Sequence, residues 1–137
     1  MIKFIVALFF FMPLLGTSQS SINIKVEGIK DIKGKLYIGL YNGKESFRDT
    51  DHVFASQIVP VEADTLITSL PDIPAGEYAL TLFHDKNDNG KLDTNFLGIP
   101  KEKYGFSNNP KVRFKAPGFD KCRFTVEGDT EVSIKMK

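Results

Sequence analysis

An all-β fold, a single antiparallel sandwich of about seven or eight strands, is predicted by three features of this 137-residue sequence. Apolar and polar residues alternate at a period of two along most of the chain, the pattern of strands with one buried face. Gly, Pro, Asn and Asp interrupt the alternation at short intervals, as turns do. Beyond the first residues, the longest stretch free of Gly and Pro, residues 44–59, shows no continuous apolar face at helical spacing.

Residues 1–18 stand apart from this pattern. Lys3 precedes an apolar run over residues 4–15, and Gly16, Thr17 and Ser18 follow as small residues. The run is shorter than the ~20 apolar residues a membrane-spanning helix needs. Its order of basic, apolar and small regions is that of a secretory signal peptide, cut after Ser18 or close to it. No Cys near the cut offers a lipid attachment point. The prediction is an exported protein, periplasmic or extracellular, with residues 20–137 as one domain and no transmembrane segment after cleavage.

The strands follow in order. Ile22, Ile24 and Val26 alternate with Asn23, Lys25 and Glu27, which predicts the first. Residues 35–41 set Leu36, Ile38 and Leu40 on one face, and Asn42-Gly43 closes that run as a turn. Residues 46–51 have room for one short helix. Further strands are predicted over 54–61, 65–70, 77–84, 113–116, 123–127 and 131–136. Short strands at this spacing predict a sandwich of immunoglobulin-like or transthyretin (prealbumin)-like type. A parallel sheet would need crossover helices for which the chain has no room. Cys122 is the single cysteine; its alternation with Phe124 and Val126 predicts a buried structural thiol on a strand face.

Composition narrows the function classes. The sequence has 18 basic and 17 acidic residues, and removal of the leader takes Lys3 and leaves the numbers equal. Such a balance argues against nucleic acid or an anionic membrane as partner. His52 and His84 are far apart and have no second cysteine to join in a zinc site. No nucleophile elbow, phosphate-binding Gly loop or helical carboxylate pair is present. The reading is therefore a non-catalytic exported structural or binding module, with no enzyme activity expected; a hydrolase would need acids that meet only in three dimensions.

Residues 85–110 depart from the alternation, and a loop of that length in a small domain is usually functional or disordered. Asp85, Asn87 and Asn89 occupy alternate positions, Gly90 follows, and Asp93 comes three residues later. This is the opening of a calcium loop of the D-x-[DN]-x-[DN]-G type, in which alternate side chains aim oxygens at a hard cation. On that template Asp85, Asn87, Asn89 and Asp93 are side-chain ligands and Lys91 contributes its carbonyl. Phe96 stands where the template has a bidentate Glu, so Glu102 is the candidate for an extra ligand. Affinity in the range of about 10⁻⁴–10⁻³ M is then expected. The same residues could instead form a metal-free turn, with Asp and Asn bonding their own backbone. The aromatics Phe96, Tyr104 and Phe106, with Asn108, have two readings as well: a platform for a sugar, a peptide or another small ligand, or a plug closing the end of the sandwich. Gly98 and Gly105 are expected at positive φ, folding this loop back on itself.

One resemblance gathers these motifs. Residues 70–80 carry a P-x-G-x-Y strand entry in Pro74, Gly76 and Tyr78, similar to that of prealbumin-like and carboxypeptidase-regulatory-like sandwiches. It is followed by Phe83-His84-Asp85-x-Asn87-x-Asn89-Gly90-x-Leu92-Asp93. Gly98-Ile99-Pro100-x-Glu102-x-Tyr104-Gly105-Phe106-Ser107-Asn108-Asn109 comes next. The combination resembles the exported bacterial family called domain of unknown function 2141 across essentially the whole mature chain. The resemblance implies a secreted or periplasmic β-sandwich and implies no activity.

Overall fold

Eight strands form in the computed structural model, which describes residues 19–137 together with Pro13 and Gly16. The predicted signal peptide otherwise lies outside the described residues. The strands are β1 (Ser20–Glu27), β2 (Lys35–Tyr41), β3 (Ala55–Pro60), β4 (Leu66–Ile73), β5 (Gly76–Asp85), β6 (Tyr104–Phe106), β7 (Phe124–Val126) and β8 (Thr130–Lys135). They build a three-stranded sheet, β4-β1-β8, and a larger sheet, β3-β2-β5-β6. The ten-residue β5 carries two short partners on one edge: β7 pairs with Gly76–Tyr78 and β6 with Thr81–Phe83.

The core lies between the sheets because each strand turns its period-two apolar set inward. Ile22, Ile24 and Val26 of β1, Leu66 and Leu70 of β4 and Ile134 of β8 meet Leu36, Ile38 and Leu40 of β2 and Leu80 and Leu82 of β5. Both open sides are laced together. Thr68 Oγ1 donates to Gln57 Oε1 at 2.8 Å between β4 and β3. On the opposite side Tyr104 and Lys137 exchange two backbone hydrogen bonds, 3.3 and 2.8 Å.

Five details differ from the sequence reading. The pair β1–β8 is parallel, with Ile22 opposite Thr130 and Glu27 opposite Lys135. It needs no crossover helix, since it joins the first and last strands and the rest of the domain is the connection. Residues 113–116 form no strand: Phe114 is fully exposed and finds no pairing partner, so the Arg-Phe-Lys-Ala alternation is a false signal. Cys122 ends a four-residue helix, α1 (Phe119–Cys122), and packs with Ala79, Phe106 and Phe119 in a second, smaller core on the outer face of the large sheet, away from Val126. Gly105 lies within β6 and not at positive φ; a Cβ there would stand 2.7 Å from Ile134 Cγ2, so the residue serves close sheet packing. The expected helix near 46–51 reduces to turns and the 3₁₀ segment Thr50–His52, capped by Asp49. No helix among the described residues is long and apolar enough to cross a membrane.

Candidate functional site

The loop after β5 is held by carboxylates that accept backbone N–H groups. Asp85 is fully buried at the strand end; its two oxygens accept from Asn89 N at 3.1 Å and Gly90 N at 2.7 Å. Gly90 takes φ +78°, the conformation that brings its N–H under the carboxylate. Glu102, 6% exposed, reaches back across the loop to accept from Lys86 N at 2.9 Å and Asp93 N at 3.2 Å. Asp93 in turn accepts from the side-chain amides of Asn87, 2.6 Å, and Asn89, 2.7 Å. These amide hydrogen bonds hold the Asp93 carboxyl below the usual Asp range. Asn89 Oδ1 accepts from Lys91 N at 3.1 Å. Lys35 pairs with Asp88 and Lys86 with Asp31, pinning the outside of the loop.

The structure thus brings Asp85, Asn87, Asn89, Asp93 and Glu102 into one network. Among the described residues, no three His, Cys, Asp or Glu side chains are grouped so as to hold a metal. A cation here would rest on the amide oxygens of Asn87 and Asn89, which a turn of each amide would present. The loop continues as a small hairpin closed by the Thr94–Pro100 bridge, with Asn95 Oδ1 accepting from Leu97 N and Ile99 N and Gly98 at φ +78° as expected.

His84, buried beside Asp85, holds the carbonyl of Lys33 through Nε2 at 2.7 Å. The other polar residues singled out near the loop also bind backbone. Asn108 donates to the carbonyl of Arg123 at 2.8 Å and Asn109 to that of Ser133 at 3.0 Å, tying the β6 end to α1 and β8. Phe96 is 95% exposed.

Tyr104 and Phe106 belong to a different feature. Register sets Ile58, Tyr37, Phe83 and Tyr104 side by side on the outer face of the large sheet, one from each of β3, β2, β5 and β6. Tyr37 and Phe83 stack with ring centroids 4.8 Å apart and planes 11° apart. The next row is Ser56, Gly39, Thr81 and Phe106, small at its centre. Beyond it Tyr41, Phe47 and α1 cover the sheet with the second core. The uncovered remainder is a groove of about 970 Å³, walled by the 90–100 hairpin and by residues 112–116. Ile58, Leu97, Ile99 and Phe114, half of the large apolar side chains that stand exposed on the described surface, line it.

Sequence reasoning placed Tyr104 and Phe106 in a loop and missed Tyr37 and Phe83. The signal was present: residues 35–41 carry aromatics on the face opposite Leu36, Ile38 and Leu40, where a solvated strand face would be polar.

Taken together, fold and surface define a two-sheet β-sandwich with an apolar groove on one outer face and a carboxylate-tied loop at its rim. The chain belongs to the family described as uncharacterized protein conserved in bacteria (DUF2141), which it matches over residues 24–135. No curated protein and no solved structure matches it.

Proposed function

We propose that this protein is a non-catalytic, exported binding module whose ligand site is the outer-face groove. The carrying observation is the concentration of exposed apolar side chains there: monomer surfaces rarely collect such groups without a partner or ligand to cover them. The size falls within the range of small-molecule sites. A non-catalytic role is supported by the buried Asp85 and Glu102, whose carboxylate oxygens all accept backbone N–H groups, and by His84 Nε2, held on the Lys33 carbonyl. Export is supported by the sequence of residues 1–18. The reading is tested with Nile red, a neutral dye that brightens in apolar sites. Brightening by the native protein, lost in a Leu97→Ser/Phe114→Ser variant of unchanged melting temperature, supports it; a dye that stays dark overturns it.

A second reading concerns the rim. The Asn87 and Asn89 amides gathered on the Asp93 carboxylate support weak calcium uptake there, the amides turning their oxygens to the cation while the buried Asp85 and Glu102 carboxylates stay on backbone N–H groups. A site with Kd of about 10⁻⁴ M would add roughly 2.7 kcal/mol of stability at hundredfold excess ligand, a shift of several degrees in melting temperature. Thermal unfolding in EDTA and in millimolar calcium measures it, and Asp93→Ala should abolish the rise. An unchanged melting temperature makes the loop a self-sufficient Asx turn.

A further inference from the structure

The groove has a charge pattern as well as an apolar one. Arg48, Lys91, Arg113 and Lys115 line it, and no Asp or Glu does. None of the four is in an ion pair among the described residues, whereas Lys25, Lys35, Lys44, Lys86 and Arg123 are. In a chain whose basic and acidic residues nearly balance, this is a local excess. Three of the four adjoin the second core, and Lys91 stands on the hairpin. Arg48 follows Phe47, and Arg113 and Lys115 alternate with Val112 and Ala116; Phe47, Val112 and Ala116 all pack on the second core. Arg48, Arg113 and Lys115 are thereby tied by their chain neighbours to the covered end of the groove, while Ile58, Leu97 and Ile99 supply aliphatic surface on the side of the Tyr37–Phe83 stack.

We propose that the groove takes a free long-chain carboxylate, its head among Arg48, Arg113 and Lys115 and its acyl chain over Tyr37, Phe83 and the aliphatic wall. This rests on the reading of the groove as a binding site. Charge complementarity selects an anion, and aliphatic walls suit an acyl chain better than a sugar, whose hydroxyls need a dense set of hydrogen-bonding partners. Guanidinium groups fit a carboxylate bidentately.

The test is displacement of Nile red from the full mature chain by dodecanoate, dodecyltrimethylammonium and dodecyl maltoside, each below its micelle concentration. Dodecanoate is expected to displace the dye with Kd on the order of micromolar to tens of micromolar, and the cation about tenfold more weakly. Arg113→Glu/Lys115→Glu should lower dodecanoate affinity about tenfold with the melting temperature unchanged; Arg48→Gln is the milder check if that variant unfolds. Equal displacement by anion and cation, or full affinity in the charge variants, overturns the carboxylate and leaves the groove. Displacement by phosphatidylglycerol vesicles and not by dodecanoate overturns it in favour of a membrane surface. Dye binding that vanishes as the protein dimerises in sedimentation overturns it in favour of a second copy. Failure of Nile red to bind at all removes the groove reading too.

Discussion

At the residue scale, the fold depends on a few carboxylates and amides that bind backbone. Replacing Glu102 with Ala leaves the N–H groups of Lys86 and Asp93 without their acceptor and should cost about 1–3 kcal/mol in urea unfolding. A loss near zero would mean that water replaces the carboxylate fully. Cys122 makes a second prediction. Burial pushes its thiol up to about 11, so the thiolate is scarce at pH 8. Ellman's reagent should therefore leave the folded protein untouched at that pH and label it on unfolding in urea; fast labelling of the folded state would place the thiol at the surface. The site was partly legible at this scale. The alternate spacing of Asp85, Asn87 and Asn89 identified the loop, because a tight turn demands those short acceptors. That the Asp85 oxygens go to the N–H groups of Asn89 and Gly90 depends on backbone torsions that spacing does not encode.

Elements were legible where the period-two signal was long. β1, β2 and β5 appear within a residue or two of their predicted bounds, since five or more alternating positions outweigh local noise. Three-residue β6 escaped because Tyr-Gly-Phe is apolar on both faces and bears a strand-breaking Gly. α1 escaped because four residues show no helical period. Gly105 gives this scale its prediction. With Ile134 Cγ2 at 2.7 Å from the position of a new Cβ, Gly105→Ala must push β6 from β8 and should cost about 1–3 kcal/mol; a neutral effect in urea unfolding would show that β8 yields freely. The 85–93 loop supplies another. The Asn87 and Asn89 amides lower the Asp93 pKa, so their support is present above the ordinary Asp range and lost as pH falls through the lowered folded value. Side-chain amide resonances of Asn87 and Asn89 should shift together in that acidic window, and in Asp93→Asn they should not titrate.

For the whole molecule, the class of fold was legible and the closure was not. Alternation and turns specify how many strands form; which pair is decided by long-range packing. The parallel β1–β8 pair and the four-strand row from Ile58 to Tyr104 both arise that way. Groove and closure therefore became visible only in three dimensions.

The parallel closure has a mechanical consequence. Because β1 and β8 run the same way, Ser20 leaves the ladder at one pole and Lys135 at the other. Tension along the chain then shears that ladder, loading its hydrogen bonds together. Tension between Glu27 and Leu66, which sit at one end of the antiparallel β1–β4 ladder, peels bonds in succession. Single-molecule pulling should find a markedly higher rupture force in the first geometry, and equal forces would show that the ladder does not carry the load. Tethered at its ends, such a domain would resist stretching.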